Sequence, residues 1–163
     1  MTTQERINKF LLELGEFIEK YYSMGVDSVS NETHEDWIKV FINGPAESSI
    51  ELWSQGKEVT VAFGESHWHI GDYNDPVDLE NIYEPTVDSV IEILSGKVGT
   101  YSAWNEEKAL GGGSYEGETI EAAILASKAH FSKATHLKVK TWANETKTQP
   151  VGSLNSVTRS ALH

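Results

Sequence analysis

The chain has 163 residues, 39% of them hydrophobic and 10% aromatic, enough to bury one core without disulfides or metals. It contains no cysteine, which excludes a disulfide framework, a thiolate zinc site and a cysteine nucleophile. Its net charge of −12 excludes most ways of holding a phosphate backbone or an anionic membrane.

The charge is local. Between Lys57 and Lys97 there is no lysine or arginine, while Glu58, Glu65, Asp72, Asp75, Asp78, Glu80, Glu84, Asp88 and Glu92 supply nine carboxylates. Such a segment attracts a cation or a basic protein and speeds their encounter. The competing reading is a solvated acidic face kept for solubility. The N-terminal MTTQERINKF lacks a basic region followed by an apolar run, and no apolar stretch approaches the roughly 20 residues of a membrane-spanning helix. The expectation is a cytoplasmic protein.

In chain order, Ile7, Phe10, Leu11, Leu14, Phe17, Ile18 and Tyr21 recur at three- and four-residue steps and predict an amphipathic helix over 3–24. After a polar loop with His34, Glu35 and Asp36, the apolar run Trp37 to Ile42 predicts a first strand, central and buried on both faces. Ile50–Ser54 and Lys57–Phe63 predict a hairpin turning at Gln55-Gly56, with Leu52 facing Val59 and Ile50 facing Val61.

The next stretch carries the candidate site. Continuing the alternation of Val59, Val61 and Phe63 would turn His67 and His69 into the core. A bulge or bend near Gly64–Glu65 would instead bury Trp68 and Ile70, the cheaper outcome, because imidazoles cost more to bury. The reading therefore places both histidines outside.

Residues 71–84 read as an acidic loop, and Pro85 as the first position of a helix running to about Ser95, with Glu84 and Asp88 favouring its positive end. Val98–Trp104 predicts a strand, Asn105–Lys108 a turn and Ala109–Tyr115 a short strand weakened by three glycines. Helix is expected over about 118–131. His136–Trp142 reads as an edge strand guarded by Lys138 and Lys140. Beyond Asn144 the run is polar and aperiodic, which places the domain in 1–148 and a flexible tail in 149–163. The fold class is α+β: a single domain, a largely antiparallel sheet packed by the N-terminal helix and two further helices.

No motif specifies a reaction. His67-x-His69 puts two imidazoles on one side of a strand, and with Asp72 they form a candidate metal set, with Asp75 or His34 in reserve. The run 111–117 lacks the Lys-Ser/Thr ending and glycine spacing of a phosphate loop, so a turn or a closely approached backbone is expected there. Trp53, on the hairpin face opposite the aliphatic core, joins Tyr73, Tyr83 and Trp104 as aromatic contacts suited to a protein partner.

The segment VTVAFGESHWHIGDY, the acidic loop after it, the proline-started helix and YSAWNEEK together resemble small bacterial immunity proteins of polymorphic-toxin systems. That resemblance implies a non-enzymatic acidic α+β domain that blocks a basic toxin domain, with no cofactor. The partner-binding residues expected on this reading are Glu65, His67, His69, Asp72, Asp75 and Asp78. Two alternatives stand beside it: a metal-dependent enzyme using His67, His69 and Asp72, and a homo-oligomer packed through Trp53 and the hairpin edge.

Overall fold

The computed structural model describes residues 1–22, 25–71, 78–117 and 119–151. Helix α1 (Thr3–Tyr21) starts on a reciprocal cap: the Thr2 side chain accepts from the Glu5 amide, and the Glu5 carboxylate accepts from the Thr2 amide at 2.6 Å. It buries Ile7, Leu11, Leu14 and Ile18. The apolar stripe is narrower than the periodicity implies, because Phe17 and Tyr21 remain exposed and meet each other with their rings tilted, 4.8 Å between centroids.

Five strands follow as an antiparallel meander: β1 (Ser28–Thr33), β2 (Ile38–Asn43), β3 (Ser49–Gln55), β4 (Glu58–Phe63) and β5 (Ser66–Gly71), adjacent in that order. β1 falls where the sequence predicts loop, since Val29 is its only apolar residue; pairing with β2, rather than its own pattern, makes it a strand. β2 is consequently neither the first strand nor buried on both faces: Ile38, Val40 and Ile42 point inward, and Lys39, Phe41 and Asn43 are half-exposed. The β3–β4 hairpin turns at Gly56-Lys57 rather than Gln55-Gly56, with Gln55 opposite Glu58, Leu52 opposite Val61 and Ile50 opposite Phe63. This differs from the expected pairing by two residues along β4, which leaves every side chain on its expected face.

Helix α2 (Glu80–Leu94) lies with α1 over the inner face of this sheet, and Ile82, Val90 and Ile93 complete a core with Val59, Val61, Phe63 and the α1 residues. Pro85 is inside the helix, not at its start. The second sheet, ordered β7-β6-β8-β9, contains β6 (Val98–Asn105), β7 (Lys108–Glu116), β8 (His136–Thr141) and β9 (Asn144–Pro150), all antiparallel. Helix α3 (Ile120–His130), capped by the Thr119 side chain, packs on it through Ala123 and Ile124 against Tyr101, Ala103, Tyr115, Leu137 and Val139. β8 is therefore an inner strand, and Asn144–Pro150, expected to be loose, forms the edge beside it. Residues 152–163 of the expected tail lie outside the described residues. The architecture is an α+β domain of three helices and two antiparallel sheets among the described residues, none of whose helices is long and apolar enough to cross a membrane.

Candidate functional site

The reversal that exposes the histidines is a two-residue hairpin turn, not a bulge. Phe63 pairs with Ser66, leaving Gly64 and Glu65 as the turn. Gly64 has φ +62°, and a Cβ there would lie 2.5 Å from Thr100 Oγ1, so both backbone conformation and space demand glycine. The turn seats on the polar face of the second sheet. Thr100 Oγ1 donates to the Phe63 carbonyl at 3.0 Å, Ser102 Oγ donates to Glu65, and Lys138 Nζ approaches Glu65 at 3.4 Å. Trp104 Nε1 donates to Ser102 Oγ at 2.9 Å, and Lys138 lies over the Trp104 ring. Glu65 is thus committed within the chain.

Beyond the turn, Trp68 and Ile70 pack against the core, with Trp68 Nε1 3.4 Å from Ser89 Oγ of α2, and His67 and His69 are exposed on the outer face. Registers across the five strands align two transverse rows on that face. One runs Glu32–Lys39–Trp53–Thr60–His69 and the other Ser30–Phe41–Glu51–Ala62–His67. Within them Lys39 pairs with Glu51 at 3.3 Å and lies over the Trp53 and Phe41 rings at 5.0 and 5.2 Å. His69 Nδ1 is 3.1 Å from Glu58 Oε1 and 3.0 Å from Thr60 Oγ1. A proton on Nδ1 would find both oxygens as acceptors, which orients the ring. The His67 ring meets His69 edge-on at 5.3 Å between centroids.

The candidate residues do not form one cluster. His67 and His69 lie on the outer face, α2 covers the inner one, and Asp78 caps the start of α2, accepting from the Glu80 amide at 3.1 Å. Asp72, Asp75 and Tyr73 lie outside the described residues. Among the described residues no three His, Asp or Glu side chains are grouped to hold a metal. His34 stacks on Trp37 at 3.8 Å beyond the β1 end of the histidine row, and four strand spacings, roughly 19 Å, separate β1 from β5. It cannot join His69 in one coordination sphere.

Two features escaped the sequence reading. Starting α2 at Glu80 places Glu80, Glu84, Asp88 and Glu92 at successive i,i+4 positions, all exposed, forming one acidic ridge. Only Glu80 is in the first turn, so the helix dipole explains neither Glu84 nor Asp88. The four-residue spacing is visible in the sequence, but Pro85 predicts a later start than the helix has. The second is Lys140, 6% exposed, whose Nζ donates to Ser48 Oγ, the Thr141 carbonyl and the Asn144 carbonyl. Burial lowers its pKa, against a smaller opposite pull from Glu145. Alternation alone makes an inner-strand lysine look like an edge guard.

Comparison with family models, curated proteins and solved structures gives no match.

Proposed function

We propose that this chain is a binding protein that neutralises a basic protein partner, as an immunity protein does, by covering the surface with which that partner contacts phosphate. The observation that carries this reading is the α2 ridge. Four exposed carboxylates at i,i+4 spacing repel one another, and none forms an ion pair among the described residues. The helix contains no lysine or arginine to relieve them. A row of lysines or arginines on a partner would. The histidine rows belong to the opposite side of the sheet, so the expected interface is redrawn around α2, and Glu65 is removed from it.

Native mass spectrometry of the protein purified from the cells that make it, without chelator, identifies the partner. Association of that partner with the E84K/D88K variant is then expected to be at least about tenfold slower than with wild type, with the difference shrinking as salt rises. Unchanged association removes the ridge as the interface. One metal per chain, lost on His67→Ala with folding intact, would favour the enzyme reading instead.

A further inference from the structure

We infer that the edge of β7 and the cleft beside it form a peptide-binding site. Its ligand is an extended segment of a partner protein that adds a strand to β7. That segment lowers an apolar side chain into the cleft and carries a carboxylate beside it.

The register says which groups the edge offers. The Gly117 amide donates to the Lys97 carbonyl at 3.0 Å, and bonded and non-bonded pairs alternate along an antiparallel ladder. Gly111, Gly113 and Tyr115 therefore turn their main-chain groups to β6, and Gly112, Ser114 and Glu116 turn theirs outward. The outward three are exposed, and their amides and carbonyls have no main-chain partner among the described residues. Donors and acceptors alternating along an edge are matched by another main chain. The opposite edge of the sheet, β9, is guarded by Lys147 and ends at Pro150.

The cleft says what side chain fits. Glycines leave β7 bare over 111–113, and Ala126 and Ala129 leave the facing part of α3 almost as bare. Between them lies a cleft of about 550 Å³, walled by Tyr101 and Phe131. Their rings meet edge-on at 6.2 Å, Phe131 beside Gly111 and Tyr101 beside Gly113, where a Cβ would come within 2.8 and 3.0 Å of them. An apolar side chain entering there covers both rings. Tyr101 is 3% exposed, yet its hydroxyl has no hydrogen bond among the described residues. Burial raises its pKa, so it stays a donor at neutral pH and suits a peptide carbonyl.

Charge selects the neighbour of that side chain. His130 lines the cleft, Lys128 shares the last turn of α3 with it, and Lys133 follows Phe131 by two residues. No carboxylate occurs over 122–135, and Glu106 and Glu107 lie beyond the strand, in the turn beside Lys108. Residues 1–96 hold 19 carboxylates against five basic side chains, a net −14, whereas 97–151 hold six against seven, a net +1. Most of the molecule therefore repels an acidic segment, and this edge does not. The site takes the opposite charge from the α2 ridge and is independent of it.

Selection of a phage-displayed library of random dodecapeptides against the full chain tests the inference. Enriched peptides are expected to share an apolar residue with an Asp or Glu two places away, on the same side of an extended chain. A synthetic copy of the best of them should slow hydrogen exchange of the Gly112 and Ser114 amides at least about tenfold. Ala129→Trp fills the cleft from an exposed helix position and is expected to weaken binding at least about tenfold. Tyr101→Phe removes only the hydroxyl and should weaken it roughly three- to tenfold. Circular dichroism should match wild type in both, and E84K/D88K should bind the peptide as wild type does. No enrichment overturns the inference, as does a peptide that leaves both amides exchanging or binds Ala129→Trp as well as wild type. Protection of both amides before peptide is added would assign the edge to this chain itself or to a second copy, and overturns it too.

Discussion

Lys140 shows at the scale of a residue what the sequence hides. Its neighbours alternate as in an exposed strand, yet its ammonium is enclosed and bonded to Ser48 and to two main-chain carbonyls. Burial lowers its pKa in the fold, so across the interval up to the unfolded value of about 10.4 the unfolded chain binds more protons. Stability from this group therefore rises with pH through that interval, opposite to a lysine gaining a carboxylate partner. Lys140→Met removes the donor and strands buried acceptors, and is expected to destabilise the fold by about 1–3 kcal/mol at neutral pH. Urea midpoints of wild type and variant, compared from about pH 8 to 10.5, should diverge further as pH rises. Convergence would mean that the ammonium is not held as described. The histidines are the legible counterpart. Trp68 and Ile70 outcompete imidazoles for the core, which fixed the facing of His67 and His69 whatever device reversed the chain.

At the scale of elements, α2 joins a boundary error to a functional consequence. Proline normally opens a helix, and reading Pro85 that way hid the first turn and the spacing of the acidic ridge. The real start is set by Asp78, which accepts from the Glu80 amide, and by the Ile82 side chain reaching the core. The ridge predicts a conflict between stability and binding. Glu84→Lys replaces like-charge pairs with Glu80 and Asp88 by opposite ones, and should stabilise the fold by about 0.4–1 kcal/mol, at a few tenths per pair. The same change should weaken association with the basic partner. A denaturant series gives the first sign and partner binding the second. Destabilisation by E84K would show that Glu84 serves the fold, leaving the ridge without its argument. The hairpins were more legible than the helix, because period-2 burial survives an error of two residues, whereas β1 and β9 have little apolar pattern to read.

The whole molecule divides by charge and is joined by neutral and buried groups. The acidic first sheet with α1 and α2 meets the near-neutral second sheet with α3 along one seam. At that seam the Gly64–Glu65 turn contacts Thr100, Ser102, Lys138 and Lys140, and Trp142 enters the first core with its indole nitrogen donating to the Gly25 carbonyl at 2.8 Å. None of these contacts follows from local pattern, since each links residues far apart in sequence; that is why the sequence predicts one sheet where the structure has two. They are expected to bind the two cores into one unfolding unit, which Gly64→Ala probes. Alanine there takes a left-handed backbone at about 1–2 kcal/mol and drives its Cβ against Thr100 Oγ1 and Lys140 Cβ. The expected loss is about 2–4 kcal/mol. Because the turn touches both sheets, tryptophan fluorescence and far-ultraviolet circular dichroism should report one coincident transition at lower urea. An unchanged midpoint would mean that the turn does not seat on the second sheet, and two separated transitions would mean that the cores unfold independently.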